Sequence, residues 1–363
     1  MGEIAIDGVT AKKTDRILYI DALRVFGSIA VMIIHIASGG WESTGSFREW
    51  DILNVIESFS RWCVPVFIMI SGSLFIGRYL SFKTIFRKYF LHMVVAFLFW
   101  SFVYAIDGTV RNPQYTIKDT MREFVYGHYH LWFLATIAKL YLIVPFINEI
   151  VKNEKLTKAF LAFGTLVSMG FSHLAKVMAL LFPSYSKAFY NIQSNSSLFI
   201  VGAFPAVFIL GYYINKKRLP FNIVCVGGII GFTYTVFMSR FVFKYTGVRN
   251  QIFYEYLTLN VMLESVFVFE LFKKLFNEKR HFFKTKYGRI IANLCHEIAP
   301  YSFGAYLVHV LFVEELEHIF GLNALSHGNP FAAVGISLVI VFVLSYSASI
   351  ILHQIPLVGK YIT

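Results

Sequence analysis

Runs of apolar residues about twenty long recur along the whole chain, separated by short stretches rich in Lys and Arg. A helix rises about 1.5 Å per residue, so roughly 20 apolar residues cross the hydrocarbon core of a bilayer. Stretches of that kind lie at about 17–38, 56–77, 89–106, 130–147, 157–178, 198–214, 221–238, 254–273, 297–315 and 331–352. The pattern predicts an all-α, polytopic integral membrane protein with about ten transmembrane helices. No repeat and no soluble domain interrupts it, and the longest loops are about 20 residues. Residues 1–363 therefore form a single transmembrane domain, with 1–16 as a cytoplasmic N-terminal segment. The first apolar stretch carries Asp21 and Arg24 and behaves as a retained anchor rather than a cleaved signal.

Composition sharpens this picture. Hydrophobic residues make up 57% of the chain and charged residues only 15%, too apolar for an ordinary soluble domain. The 39 Phe suit lipid-facing helices and interfacial belts. In a soluble protein the net charge of +12 would suggest nucleic acid. Here it fits cytoplasmic loops that touch anionic lipid, and no nucleic-acid partner is expected. With the N-terminus inside, Lys and Arg fall on the inner side about two to one, most densely over 273–289. Both termini are therefore expected in the cytoplasm. Cys63, Cys225 and Cys295 show no metal-ligand spacing and imply neither a metal site nor a disulfide.

An ionisable side chain inside a bilayer costs at least about 2.5–3.5 kcal/mol on insertion scales, so each is a candidate for function. The first span, ILYIDALRVFGSIAVMIIHIAS, places Arg24 and His35 eleven residues apart. That spacing leaves them within about 20° of one helix face and about 16 Å apart along it. Asp21 lies one turn below Arg24 and could pair with it. The plainer alternative has Asp21 and Arg24 snorkelling at the interface and His35 bonding a neighbouring helix.

Other spans add to the set. The second begins with Ser60 and Arg61 at the outer rim and carries Pro65 and Gly72, which suit a bent, closely packed helix. In the fourth, His130 and Trp132 sit at the outer end, while Lys139 is deep enough to need a partner. Glu264, in the eighth, could partner Lys139 or a histidine. In the ninth, His309 reaches the same outer half as His35, with Ser302 on its face. So His35, His130 and His309 are expected to converge, with Arg24 and Lys139 on the inner half. Histidine is the natural general base near neutral pH, and inner cations suit a phosphorylated ligand. Lys83, Arg87 and Lys88 flank the place where such a ligand would come in, although a positive-inside flank accounts for them equally well.

At these residues the sequence resembles the acyltransferase-three superfamily of bacterial membrane O-acyltransferases. The matching stretches are YIDALRVFGSIAVMIIH with its Arg–x10–His spacing, SRWCVPVFIMISG, HLWFLATIAKLYLIVPF, FYEYLTLNV and YSFGAYLVH, in that order. The chain is similar to the stand-alone kind, nearest the enterobacterial-common-antigen O-acetyltransferase type, with no fused esterase-like or racemase-like domain. The resemblance implies a cytoplasmic acyl-CoA donor, usually acetyl-CoA, no tightly bound cofactor, and acylation of a carbohydrate hydroxyl on the outer face of the inner membrane. Arg24 and His35 fall on the family's first-helix pair, Arg61 on its Ser–Arg before Val-Pro, and His309 on the histidine closing the ninth-helix motif. Many members carry Arg-x-x-Arg after the second span, where this chain offers Lys83 and then Arg87-Lys88.

The resulting expectation is acyl transfer across the membrane. Arg24, Lys83, Arg87, Lys88 and Lys139 would hold the donor, and His35, Arg24 and His309 would perform the chemistry. Arg61, His130, Trp132 and Ser60 would meet a glycan or lipid-linked saccharide acceptor. Asp21, Pro65, Gly72 and Glu264 would support the site. A transporter or flippase for a lipid-linked saccharide or small anion is the rival, since intramembrane charges also mark substrate pathways. A receptor or scaffold would leave the buried charges without a purpose.

Overall fold

The computed structural model describes residues 16–189, 198–356 and 358–363. Among them there is no strand, and eight helical bodies are long and apolar enough to cross a membrane. Of the N-terminal segment expected in the cytoplasm, only Arg16 is among the described residues.

The first body is α1 (Leu18–Ser43). The second joins α2 (Phe47–Ser60) to α3 (Cys63–Phe75) in one stretch, Phe47–Phe75. Its start lies well before the expected 56, because FREWDILNVIESFS carries four charges that mask its membrane character. Residues Ile85–Phe90 form a π-helical turn leading into α4 (Leu91–Arg111). Then come α5 (Ile117–Tyr126), a 3-10 turn at Tyr129–Leu131 and α6 (Trp132–Ile150). The fifth body, Glu154–Leu181, contains a second π-helical stretch, Gly164–Phe171. The remaining long helices are α7 (Leu198–Lys216), α8 (Phe221–Thr246), α9 (Leu259–Leu275), α10 (Lys286–Ile298), α11 (Ser302–Phe320) and α12 (Pro330–His353).

Two expected spans fall outside those eight. α7 adjoins residues that are not described, and α11 ends in Glu314, Glu315 and Glu317, which lower its hydropathy. Both are helical as expected.

α1 is the axis of the bundle. It packs against α2, α3, α9, α10, α11 and α12, and 72% of its apolar window is buried, against 22% for α8 at the periphery. The large exposed side chains of α8 include Ile223, Ile229, Phe237 and Phe241, the apolar surface a lipid-facing helix presents. α3 and α7 cross so closely that a Cβ on Gly72 would overlap the Phe208 carbonyl. Gly72 thus takes the close-packing role expected of it. Pro65 sits in the first turn of α3, where its missing N–H has no intrahelical partner to lose.

Candidate functional site

His35 on α1, His130 in the 3-10 turn before α6, and His309 on α11 meet in one cluster. Their ring centroids lie 5.0 Å apart for His35–His309, 5.5 Å for His130–His309 and 6.3 Å for His35–His130. The turn is set by Gly127, which ends α5 at φ +72°, a conformation costly for any residue with a Cβ. Tyr104 on α4 fixes the facing stretch of α11. Its hydroxyl donates to Leu307 O at 2.9 Å and accepts from the Leu311 N–H at 3.2 Å.

Hydrogen bonding separates the roles of the three rings. His309 Nδ1 lies 2.6 Å from Tyr306 O. A carbonyl oxygen only accepts, so Nδ1 carries the hydrogen and Nε2 of the neutral ring carries a lone pair. That Nε2 is buried without a partner. The His35 ring is half-buried, touches Tyr129 as well as the two histidines, and makes no hydrogen bond among the described residues. His130 is different: Nε2 faces Leu307 O at 3.3 Å and Nδ1 faces His128 Nδ1 at 3.1 Å. Both of its nitrogens are taken. His35 and His309 are therefore the rings free for proton transfer, and His130 is not.

A cavity of about 310 Å³ opens between α1, α3, α4, α6 and α11. Arg24, Ser71, Tyr89, His92, Tyr141 and Ser302 supply its polar lining, and most of the rest is apolar. Phe67, Phe133 and Tyr306 line its other end, the first two 6.2 Å and the last two 5.7 Å apart. The Tyr306 ring also lies 5.8 Å from His309, and its hydroxyl donates to His130 O. An aromatic wall thus divides the cavity from the histidines. On its far side His35 lines a pocket of about 30 Å³ with Gly39, Gly40 and Asn323.

The expected pairing of Asp21 with Arg24 is not made. Asp21 is held by Arg16 at 2.8 Å and by His296 Nδ1 at 2.7 Å, because α10 brings its imidazole against the buried carboxylate. Among the described residues Arg24 has no ion pair and lines the cavity. Lys139 points away from both sites: it is exposed, between buried Ala138 and Leu140. It forms no ion pair with Glu264, whose buried Oε2 has no hydrogen-bond partner. Lys83, Arg87 and Lys88 are likewise exposed and do not line the cavity. From the same segment, sequence reasoning missed Tyr89 and His92, whose three-residue spacing matches the Arg-x-x-Arg that the chain lacks.

Arg61 was expected at the outer rim and instead sits midway along the Phe47–Phe75 body. It pairs with buried Glu57 one turn earlier and lies 4.9 Å over the Tyr254 ring. Glu57 falls inside the expected 56–77 stretch and was overlooked there; the E-x-x-x-R spacing was the available signal. Ser60 is buried, donates to Ile56 O at 3.0 Å and does not line the cavity beside Arg61. Arg61 lines a cavity of about 260 Å³ with Phe204, Gln251, Tyr254, Glu255 and Tyr256. Trp132 stacks on Tyr256 at 5.9 Å. Among the described residues no group of His, Cys, Asp and Glu has a geometry that could hold a metal ion.

Comparison with curated proteins and with solved structures returns no match. The family described as Acyltransferase domain matches residues 17–350, nearly the entire chain and every helix that builds the two sites. The chain belongs to the acyltransferase-three family and is a multi-pass membrane acyltransferase.

Proposed function

We propose that the protein moves an acyl group, most simply acetyl, from cytoplasmic acyl-CoA to a hydroxyl of a cell-envelope glycan or lipid-linked saccharide outside the inner membrane. In this reading both termini and the Lys/Arg-rich 273–289 loop lie in the cytoplasm, and the cavity headed by Arg24 takes the donor. The unpaired guanidinium meets a phosphate or the carbonyl groups of the pantetheine arm. The apolar lining carries the arm toward the aromatic wall. The Arg61 cavity, with its aromatic faces and paired charges, suits a sugar of the acceptor.

The observation that carries the reading is the free His35–His309 pair set behind the wall at the end of this cavity. The acceptor hydroxyl attacks the thioester carbonyl; a C–O bond forms and the C–S bond breaks. His35 takes the hydroxyl proton while His309 Nε2 orients its ring, and the proton passes to the departing thiolate. The products are the acylated acceptor and free CoA thiol.

The test is acetyl-CoA consumption by the purified protein, with mass spectrometry of envelope glycans alongside. His35→Ala and His35→Gln should both insert normally, bind acyl-CoA, and lose turnover by about 10²–10⁴-fold. Near-normal turnover per molecule in His35→Gln would sink the assignment, since Gln keeps hydrogen bonding but cannot accept the proton.

A further inference from the structure

α10 starts at Thr285, whose hydroxyl accepts from the Gly288 N–H at 3.2 Å. It runs through the 3-10 turn Ala299–Tyr301 straight into α11. At about 100° per residue its side chains sort into three sectors. Gly288, Ala292 and Cys295 share the sector that faces the bundle, where Cys295 packs with Phe283 against Leu18 and Ala22 of α1. Tyr287, Ile290, Ile291 and Leu294 share a second sector about 100° wide. All four are exposed, Tyr287 at 74% and Leu294 at 53%. Lys286, Arg289, Asn293 and Glu297 make a third sector, also exposed.

A helix on the surface of a soluble bundle needs two faces, one packed and one wet. The apolar second sector is neither, and its place in the fold says what covers it. Leu18 opens the first spanning helix, and α10 delivers the chain to α11. The sector therefore lies at the level where spanning helices leave the hydrocarbon for the headgroups. Charge points the same way: over 279–297, Lys279, Arg280, Lys284, Lys286 and Arg289 stand against Glu297 alone. Among the described residues Lys284, Lys286 and Arg289 are exposed and lie outside every ion pair. An apolar strip with Lys and Arg beside it is what the interface of an anionic leaflet accepts.

We infer that α10 is a surface helix of the bilayer: Tyr287, Ile290, Ile291 and Leu294 sink between the headgroups, and Lys284, Lys286 and Arg289 pair with the phosphates of anionic phospholipid. The inference borrows from the proposed orientation only the name of the leaflet, the cytoplasmic one. The anchor holds more than itself. His296 ties α10 to Asp21 at 2.7 Å, and Ala299 and Pro300, directly after the helix, line the Arg24 cavity. Docking of α10 thus steadies one wall of that cavity.

The experiment uses the full chain in nanodiscs of mixed phosphatidylcholine and phosphatidylglycerol. Tyr287→p-benzoylphenylalanine is irradiated beside Asn293→p-benzoylphenylalanine, which reports the water-facing sector, and the adducts are identified by mass spectrometry. Phospholipid adducts are expected at 287, several times more than at 293. Adducts at 287 to residues 1–15 or to a second copy would overturn the inference, as would equal lipid adducts at both positions or none at either. Native mass spectrometry then reads the lipids retained by the combined Lys284→Gln, Lys286→Gln and Arg289→Gln variant. Its preference for phosphatidylglycerol over phosphatidylcholine should fall roughly fivefold for each charge removed, and an unchanged preference would overturn the pairing with anionic headgroups. Neither readout involves turnover, so a protein that consumes no acetyl-CoA counts against the donor assignment, while the adducts judge α10 by themselves.

Discussion

If the lone pair on His309 Nε2 serves the reaction, substitutions that differ only in which nitrogen they imitate should fail alike. The residue is fully buried, its Nδ1 is committed to Tyr306 O at 2.6 Å, and Nε2 meets no partner. His309→Asn places an amide nitrogen near Nδ1 and can keep the bond to Tyr306 O, but it has nothing at Nε2. His309→Gln reaches the Nε2 position but gives up the Nδ1 bond, and its amide cannot take a proton. Losing a positioned base or the group that orients it costs about 10²–10⁴ in rate. At about 1.36 kcal/mol per decade, that is roughly 3–5 kcal/mol of transition-state stabilisation. Both variants should therefore lose acetyl-CoA consumption by that factor while binding acetyl-CoA as before, because His309 does not line the Arg24 cavity proposed for the donor. Turnover and affinity can be measured on the same nanodisc preparation. A structural histidine gives a different pattern, in which His309→Asn is tolerated. Turnover by His309→Asn within about threefold of the unaltered protein would refute the argument.

Arg24→Ala should weaken acyl-CoA binding by about 1.5–3 kcal/mol, the worth of a hydrogen bond to a charged group, and Arg24→Lys should restore only part of it. Unchanged affinity in titration calorimetry would remove Arg24 from the donor site. Glu57→Gln leaves the Arg61 guanidinium without its counter-charge, and a thermal melt should show a loss of about 3–5 kcal/mol. Replacing both with Met should recover stability but not acyl transfer; recovery of activity would make the pair purely structural. Gly72→Ala forces α3 away from the Phe208 backbone and should cost about 1–3 kcal/mol in the same melt, with acyl-CoA affinity per folded molecule unchanged.

Hydropathy alone carried most of the fold, because a bilayer demands long apolar helices and leaves few alternatives. It failed where charge sits inside a span. The second body was started nine residues late because Arg48, Glu49, Asp51 and Glu57 dilute its apolar face. That error moved Arg61 from mid-helix to the rim. Helical periodicity placed His35, His130 and His309 together, since depth along a helix is fixed by residue count. Rotation about the helix axis was less legible. Lys139 has the right depth but faces outward, and the π-helical turn at Ile85–Phe90 directs Tyr89 and His92, rather than Arg87 and Lys88, to the cavity. His128 and Glu314 come within 3.3 Å of each other across the turn that follows Gly127, a contact that no sequence spacing announces.

Tyr306 is the residue that joins the Arg24 cavity to the histidine cluster. Its ring lines the Arg24 cavity and packs on Phe133, its carbonyl fixes the His309 tautomer, and its hydroxyl holds the His130 backbone. If the proposed donor enters from the Arg24 side, its thioester would have to displace or pass this ring before it meets His35. That ring is tied through its hydroxyl to the His130 backbone, so its displacement would break this tie, whereas the helical carbonyl that holds His309 Nδ1 would stay in place. On the proposed route, arrival of the donor would thus bear on the position of His130 rather than on the tautomer of His309. Tyr306→Phe isolates part of this coupling, because it removes the tie to His130 O and leaves the ring and the carbonyl in place.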